Sequence, residues 1–87
     1  MHAVVVRVAI SDADTAEQFL QNEVVPRVSQ SPGFVNGYWT RKDDSGLSMI
    51  LFDSADHARE ASERARTMAP EGVTVEDVDV REVVAHA

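Results

Sequence analysis

From Ala3 to Ile10 the chain is an almost unbroken run of valine and alanine, interrupted by Arg7. Val4, Val6, Val8 and Ile10 share one strand parity, and Ala3, Val5, Arg7 and Ala9 share the other. The second set is too apolar for a solvated face, so the run predicts a central strand covered on both sides. The period then changes. Ala16, Phe19, Leu20, Val24 and Val28 recur at three- and four-residue spacings and predict one face of a helix. Ser11, Asp12 and Asp14 offer caps for it, with Asp14 and Glu17 spaced as an acidic capping box. Pro26 lacks an N–H and clashes with the preceding turn, which predicts a kink or break near residues 22–25. Ser31-Pro32-Gly33 ends the element.

Phe34 to Lys42 predicts a second strand, Asp43-Asp44-Ser45-Gly46 a reverse turn, and Leu47 to Phe52 a third strand, together a hairpin. Ser54 can cap a second helix reaching about Met68, with Ala58, Ala61, Ala65 and Met68 on its apolar side. Ala69-Pro70-Glu71-Gly72 breaks that helix. The tail from Val73 to Ala85 reads as a last strand. Its valines change parity around Glu76-Asp77, which predicts a bulge or a short bend. The order is β-α-β-β-α-β in one domain spanning residues 1–87. Right-handed crossovers place both helices on one face of a four-stranded antiparallel sheet, the ferredoxin-like α+β arrangement. The other face then carries apolar residues drawn from Val5, Trp39, Ile50 and Phe52, or their alternates, and predicts a homodimer packed sheet to sheet.

Size and composition sharpen that expectation. A single domain of 87 residues needs stabilisation beyond its own small core. No cysteine is present, which excludes disulfides and thiolate metal sites and leaves a partner copy as the source of extra burial. The three histidines have no ligand spacing, so no metal and no cofactor are expected. Fifteen acids against eight bases give a net charge of −7. Such a chain repels nucleic acid and anionic membranes. No apolar run approaches a membrane span, and the first residues lack a signal-peptide pattern, so the cytoplasm is the expected compartment.

Three segments carry a resemblance: the opening strand Ala3–Ile10; Ser31-Pro32-Gly33-Phe34-Val35-Asn36-Gly37-Tyr38; and Leu51-Phe52-Asp53-Ser54-Ala55-Asp56-His57-Ala58. In these the chain resembles the dimeric α+β barrel superfamily, in particular its antibiotic-biosynthesis-monooxygenase-like group. A Pro-Gly-Phe segment there leads from the first helix into the second strand, and an apolar-acidic step leads into the second helix. The superfamily spans cofactor-free oxygenases, haem degraders, isomerases and proteins without an established reaction. The haem degraders carry an asparagine on the first strand, a tryptophan near the third and a histidine on the second helix, and only His57 lies in a corresponding region. Here the first strand offers Arg7, and Trp39 lies on the second, so the resemblance does not extend to haem degradation.

The candidate site residues follow from chemistry. His57, in the first turn of the second helix, can serve as a general base; its bland alternative is a surface histidine beside a helix N-terminus. Asn36 can orient a bound oxygen or satisfy a backbone group near Gly37. Trp39 and Tyr38 point to opposite faces, and either can stack a flat ligand or simply fill core and interface. Arg7 can bind a substrate anion, or pair with Asp79 or Glu82. Two functions compete. One is a cofactor-independent monooxygenase acting on an aromatic, polyketide-like or quinol substrate. The other is a non-catalytic ligand-binding or interaction module, which a filled interior without a ligand-sized cavity would favour.

Overall fold

Strand β1 (His2–Ile10) runs up the middle of a sheet ordered β2-β3-β1-β4, with β2 (Phe34–Lys42), β3 (Ser45–Phe52) and β4 (Val73–Glu82) all antiparallel to their neighbours. This is the central position its two-sided apolar pattern requires. The structure is a computed structural model and describes residues 1–67 and 72–87. Met68 and the predicted breaker at residues 69–71 lie outside the described residues. The α+β architecture and antiparallel four-stranded sheet are compatible with a ferredoxin-like fold. None of the described helices is long and apolar enough to cross a membrane.

The first helical segment has three parts: α1 (Ala13–Phe19), a π-helical turn (Leu20–Val24), and α2 (Val25–Ser29). The break falls where Pro26 predicts it. Proline cannot donate to Asn22 and its ring crowds that carbonyl, so the preceding turn widens. The cap differs from the predicted Asp14–Glu17 box. Asp12 is the N-cap; its carboxylate accepts from Thr15 N at 3.2 Å and from Thr15 Oγ1 at 2.9 Å. The helix thus begins earlier than the box would set it, which releases Glu17 to pair with Arg41 at 3.0 Å.

Helix α3 (Ala55–Thr67) starts as predicted: Ser54 Oγ accepts from His57 N at 3.2 Å. Its alanine face lies directly on the sheet, and Ala58 is fully buried. The core gathers Val4, Val6, Ile50, Phe52 and Val78 beneath it. Phe34 and Phe52 meet edge to face, centroids 6.3 Å apart, a preferred aromatic geometry.

Two irregularities decide which side chains face the helices. In β4 the register shifts between Arg7↔Asp77 and Val8↔Val75, which leaves Glu76 as the extra residue. Val78 and Val75, of opposite parity, therefore both face inward, as the tail pattern predicts. In β2 a shift between Phe34 and Asn36 leaves Val35 as the extra residue. Trp39 pairs with Ser48, in the inward row of Val6 and Val78, while Tyr38 pairs with Met49 in the row of Val5 and Asp79. Trp39, Ile50 and Phe52 thus belong to the helix-covered face, not to the open face proposed for them. Their alternates occupy the open face: Tyr38 is 60%, Leu47 49% and Met49 46% exposed, with Val5 and Leu51 half-buried between them. The bulge also separates Phe34 from Asn36, Tyr38 and Thr40, which alternation alone would group together.

The hairpin turn is Asp43-Asp44, closed by the Lys42↔Ser45 pair, with Asp43 at φ 54°. Gly46 is inside β3, not in the turn. A side chain there would press on Val8 Cγ2 at 2.7 Å.

Phe52 is wholly buried, so Phe52→Ala should cost about 3–5 kcal/mol. A urea titration checks this, and the midpoint should fall with the slope unchanged.

Candidate functional site

A cavity of about 740 Å³ lies between the helical layer and the sheet. That is within the range of small-molecule pockets. Its floor is the inward row of the sheet, including Val6, Val8, Ile50 and Trp39. Leu20, Val24 and Val28 form one wall, and Ala61 and Ala65 of α3 the other. The π-helical turn contributes Leu20, Gln21 and Val24 to that lining. Wide turns of this kind often accompany functional sites because they re-aim side chains without ending the helix.

Trp39 enters the wall of the cavity because Gly37 leaves it room. A Cβ on Gly37 would approach the indole within 2.9 Å. The indole therefore lies along the strand, one side against core residues and the other toward the cavity. At the end of the sheet where Arg41, Gly46, Val8 and Val75 are in register, the lining becomes polar. Glu17 and Arg41 meet there, and Arg41 Nη1 also donates to Asp43 O at 3.2 Å.

The other sequence candidates are placed elsewhere. His57 does not line the cavity. Its Nδ1 donates to Asp53 Oδ1 at 2.7 Å, and the pair sits under Gly33, whose φ of 78° carries the loop over it. A side chain on Gly33 would collide with both partners, and Asp53 N donates to Gly33 O at 2.8 Å. Asp53 thus joins the loop before β2 to the start of α3, its backbone N–H holding Gly33 O and its carboxylate holding His57. The pKa of His57 is raised above the ordinary 6.5, chiefly by the hydrogen bond to Asp53, while the same bond lowers Asp53 below 3.8.

Asn36 and Tyr38 are neighbours on the open face, with Asn36 Nδ2 donating to Tyr38 Oη at 3.2 Å and Asn36 Oδ1 accepting from Gly37 N at 2.9 Å. Arg7 is exposed on that same face with Asp77 as its register partner. The pairing with Asp79 or Glu82 does not form: Asp79 is held by Arg81 at 3.1 Å, and Arg7 makes no ion pair among the described residues. Of the five candidates, then, Trp39 alone reaches the cavity; Asn36, Tyr38 and Arg7 share the opposite face of the sheet.

The sequence reading missed Glu17, Arg41 and Arg64 in the lining. Glu17 and Gln21 stand four residues apart on the flank of an apolar stripe, a signal of a polar rim. Arg41 follows Trp39 by two, so the two share a face. No protein-family model matches the chain, and no curated protein is significantly similar to it.

The paired shifts define a pH window. His57 is raised, so its contribution is complete below pH 6.5 and is lost as pH rises through the folded value. Asp53 is lowered, so its contribution is complete above pH 3.8 and is lost as pH falls through the folded value. The stability difference between wild type and Asp53→Asn should be largest between those limits and shrink on either side. Proton NMR titration should place His57 above 6.5 in the wild type and lower in Asp53→Asn; an unmoved titration would remove the pair as its cause.

Proposed function

We propose that the chain is a dimeric α+β-barrel protein that takes a flat, largely apolar aromatic, polyketide-like or quinol molecule into its cavity and oxygenates it without a cofactor. The observation that carries this reading is the ligand-sized apolar cavity with Trp39 in its wall. Stacking on an indole suits a planar ring, and apolar walls exclude the water that would quench a reactive intermediate. In such a reaction a phenolate supplies the electrons to dioxygen. One oxygen atom enters the ring to give a quinone, and the other leaves as water with the two displaced protons. The protein contributes orientation, dryness and a proton acceptor. Glu17, which lines the cavity, takes the acceptor role in place of His57.

A panel of dihydroxynaphthalenes tests the reading through oxygen uptake and quenching of the single tryptophan. Trp39→Phe should weaken binding about three- to tenfold, the worth of an aromatic contact. Glu17→Gln should lower kcat, and His57→Ala should leave turnover unchanged. Binding without oxygen uptake would favour the non-catalytic module, a reading supported by the Asp53–His57 pair lying outside the cavity lining. Failure of the whole panel to bind would remove the ligand site.

The open face supports the dimer. Tyr38, Met49 and Val5 form one row and Leu47 with Thr40 the next, an apolar patch of the kind that marks an interface. Arg7, Asp77 and Asp79 border it with both signs of charge, so a two-fold-related copy meets opposite charge as well as apolar surface. Sedimentation at micromolar concentration should give a dimer, and the double substitution Tyr38→Glu, Met49→Glu a folded monomer. A monomeric wild type would defeat this part.

A further inference from the structure

The charge lining the cavity is opposite in sign to that of the chain. The protein carries fifteen acids and eight bases. Yet the cavity lining includes three arginines, Arg27, Arg41 and Arg64, and a single carboxylate, Glu17. The arginines come from three different elements, α2, β2 and α3. Two are neutralised within the protein: Arg27 by Glu23 at 2.9 Å and Arg41 by Glu17 at 3.0 Å. Arg64 makes no ion pair among the described residues. It stands in the last turn of α3, one residue before Ala65 and three after Ala61, both of which line the same wall.

We propose that the cavity is built for an amphipathic anion, an aromatic carboxylate whose ring lies in the apolar interior at Trp39 and whose carboxylate is held by Arg64. This rests on the reading of the cavity as a ligand site and names the class of ligand. A guanidinium presents a planar fork that matches a carboxylate. Arg64 is itself exposed, so the preference rests on the match of its fork to a carboxylate whose ring is seated in the apolar lining beside it. The apolar interior alone would accept any flat molecule of suitable size. The arginine converts that tolerance into a preference for one charge, and because the carboxylate points to the rim, it also fixes which end of the ring enters first. The negative field of the whole chain works against anions in general, so selectivity comes from this local contact and not from the surface at large. Placement of Arg64 near the α3 C-terminus is favourable by itself, since cations there meet the negative end of the helix dipole; the distinguishing property is therefore ligand charge preference, which a purely dipolar role would not produce.

Calorimetry with a matched pair of probes tests this: 1-hydroxy-2-naphthoate and its neutral amide, with 1-naphthol as the apolar reference. Wild type should bind the carboxylate about tenfold or more tightly than the amide, as a charge-assisted contact implies. The ratio should fall as salt is raised. Arg64→Met should bring the ratio near unity while leaving the affinity for the amide and for 1-naphthol in place, and Arg64→Lys should restore part of it. Arg59→Met, on α3 but outside the cavity lining, should keep the wild-type ratio. Retained binding of the amide and 1-naphthol also shows that Arg64→Met is folded. Equal wild-type binding of carboxylate and amide would overturn the anion preference and leave the ligand site standing. A preference that survives Arg64→Met would overturn the assignment to Arg64. If none of the three probes binds, the proposal and the ligand site fall together.

Discussion

Helix α3 lies tight against the sheet because its inner face is alanine. Ala58 and Phe52 are both wholly buried, with Val4 at 1% exposure beside them, and α3 touches β1, β3 and β4. The first helical segment bears larger inward side chains, Leu20, Val24 and Val28, and its main seat on the sheet is where α2 meets β2. One helix is therefore close and the other held off. The cavity lies between that segment and the sheet, with the small side chains of Ala61 and Ala65 on its α3 side.

Two local departures from regular structure give the cavity its lining. The π-helical turn ahead of Pro26 turns Leu20, Gln21 and Val24 toward the cavity, and the bulge at Val35 turns Trp39 inward and Tyr38 outward. The first falls where a proline cannot continue the hydrogen-bond ladder, and the second brings Trp39 over Gly37, which has no Cβ to bar the indole. The same bulge assigns Tyr38 and Asn36 to the open face, so one irregular residue separates the wall of the cavity from the opposite surface of the sheet.

The charged residues follow the same division. Asp53 and His57 fasten the Gly33 loop to the start of α3, which makes them part of the frame. Glu17, Arg41 and Arg64 line the cavity and remain exposed to solvent. Arg7 lies on the far side of the sheet among Leu47, Asp77 and their neighbours. A single layer of backbone thus keeps apart two chemically different surfaces, the wall of the cavity and the open face of the sheet.

Much of the architecture was legible because it depends on short-range pattern. The valine parity of β1 required a central strand, Ser54 marked the start of α3, Pro26 marked the break in the first helix, and the parity change near Glu76 marked the bulge in β4. These are local effects of side-chain alternation, capping and the missing proline N–H, and no distant contact overrides them. The site was far less legible. His57 had the right chemistry, but its ring is held by Asp53, and the backbone of Gly33, 24 positions earlier in the numbering, closes over the pair. Trp39 was placed by a bulge that period-2 alternation cannot show, since one extra residue exchanges the faces of everything on one side of it. Arg41 and Arg64 became neighbours of one cavity only when β2 and α3 closed around it. By itself the sequence determined the elements, their order and the apolar stripe of each. The tertiary structure alone decided which stripe faces which, how far apart the helices stand, and therefore where the cavity lies, because those outcomes depend on contacts between residues that the chain keeps far apart.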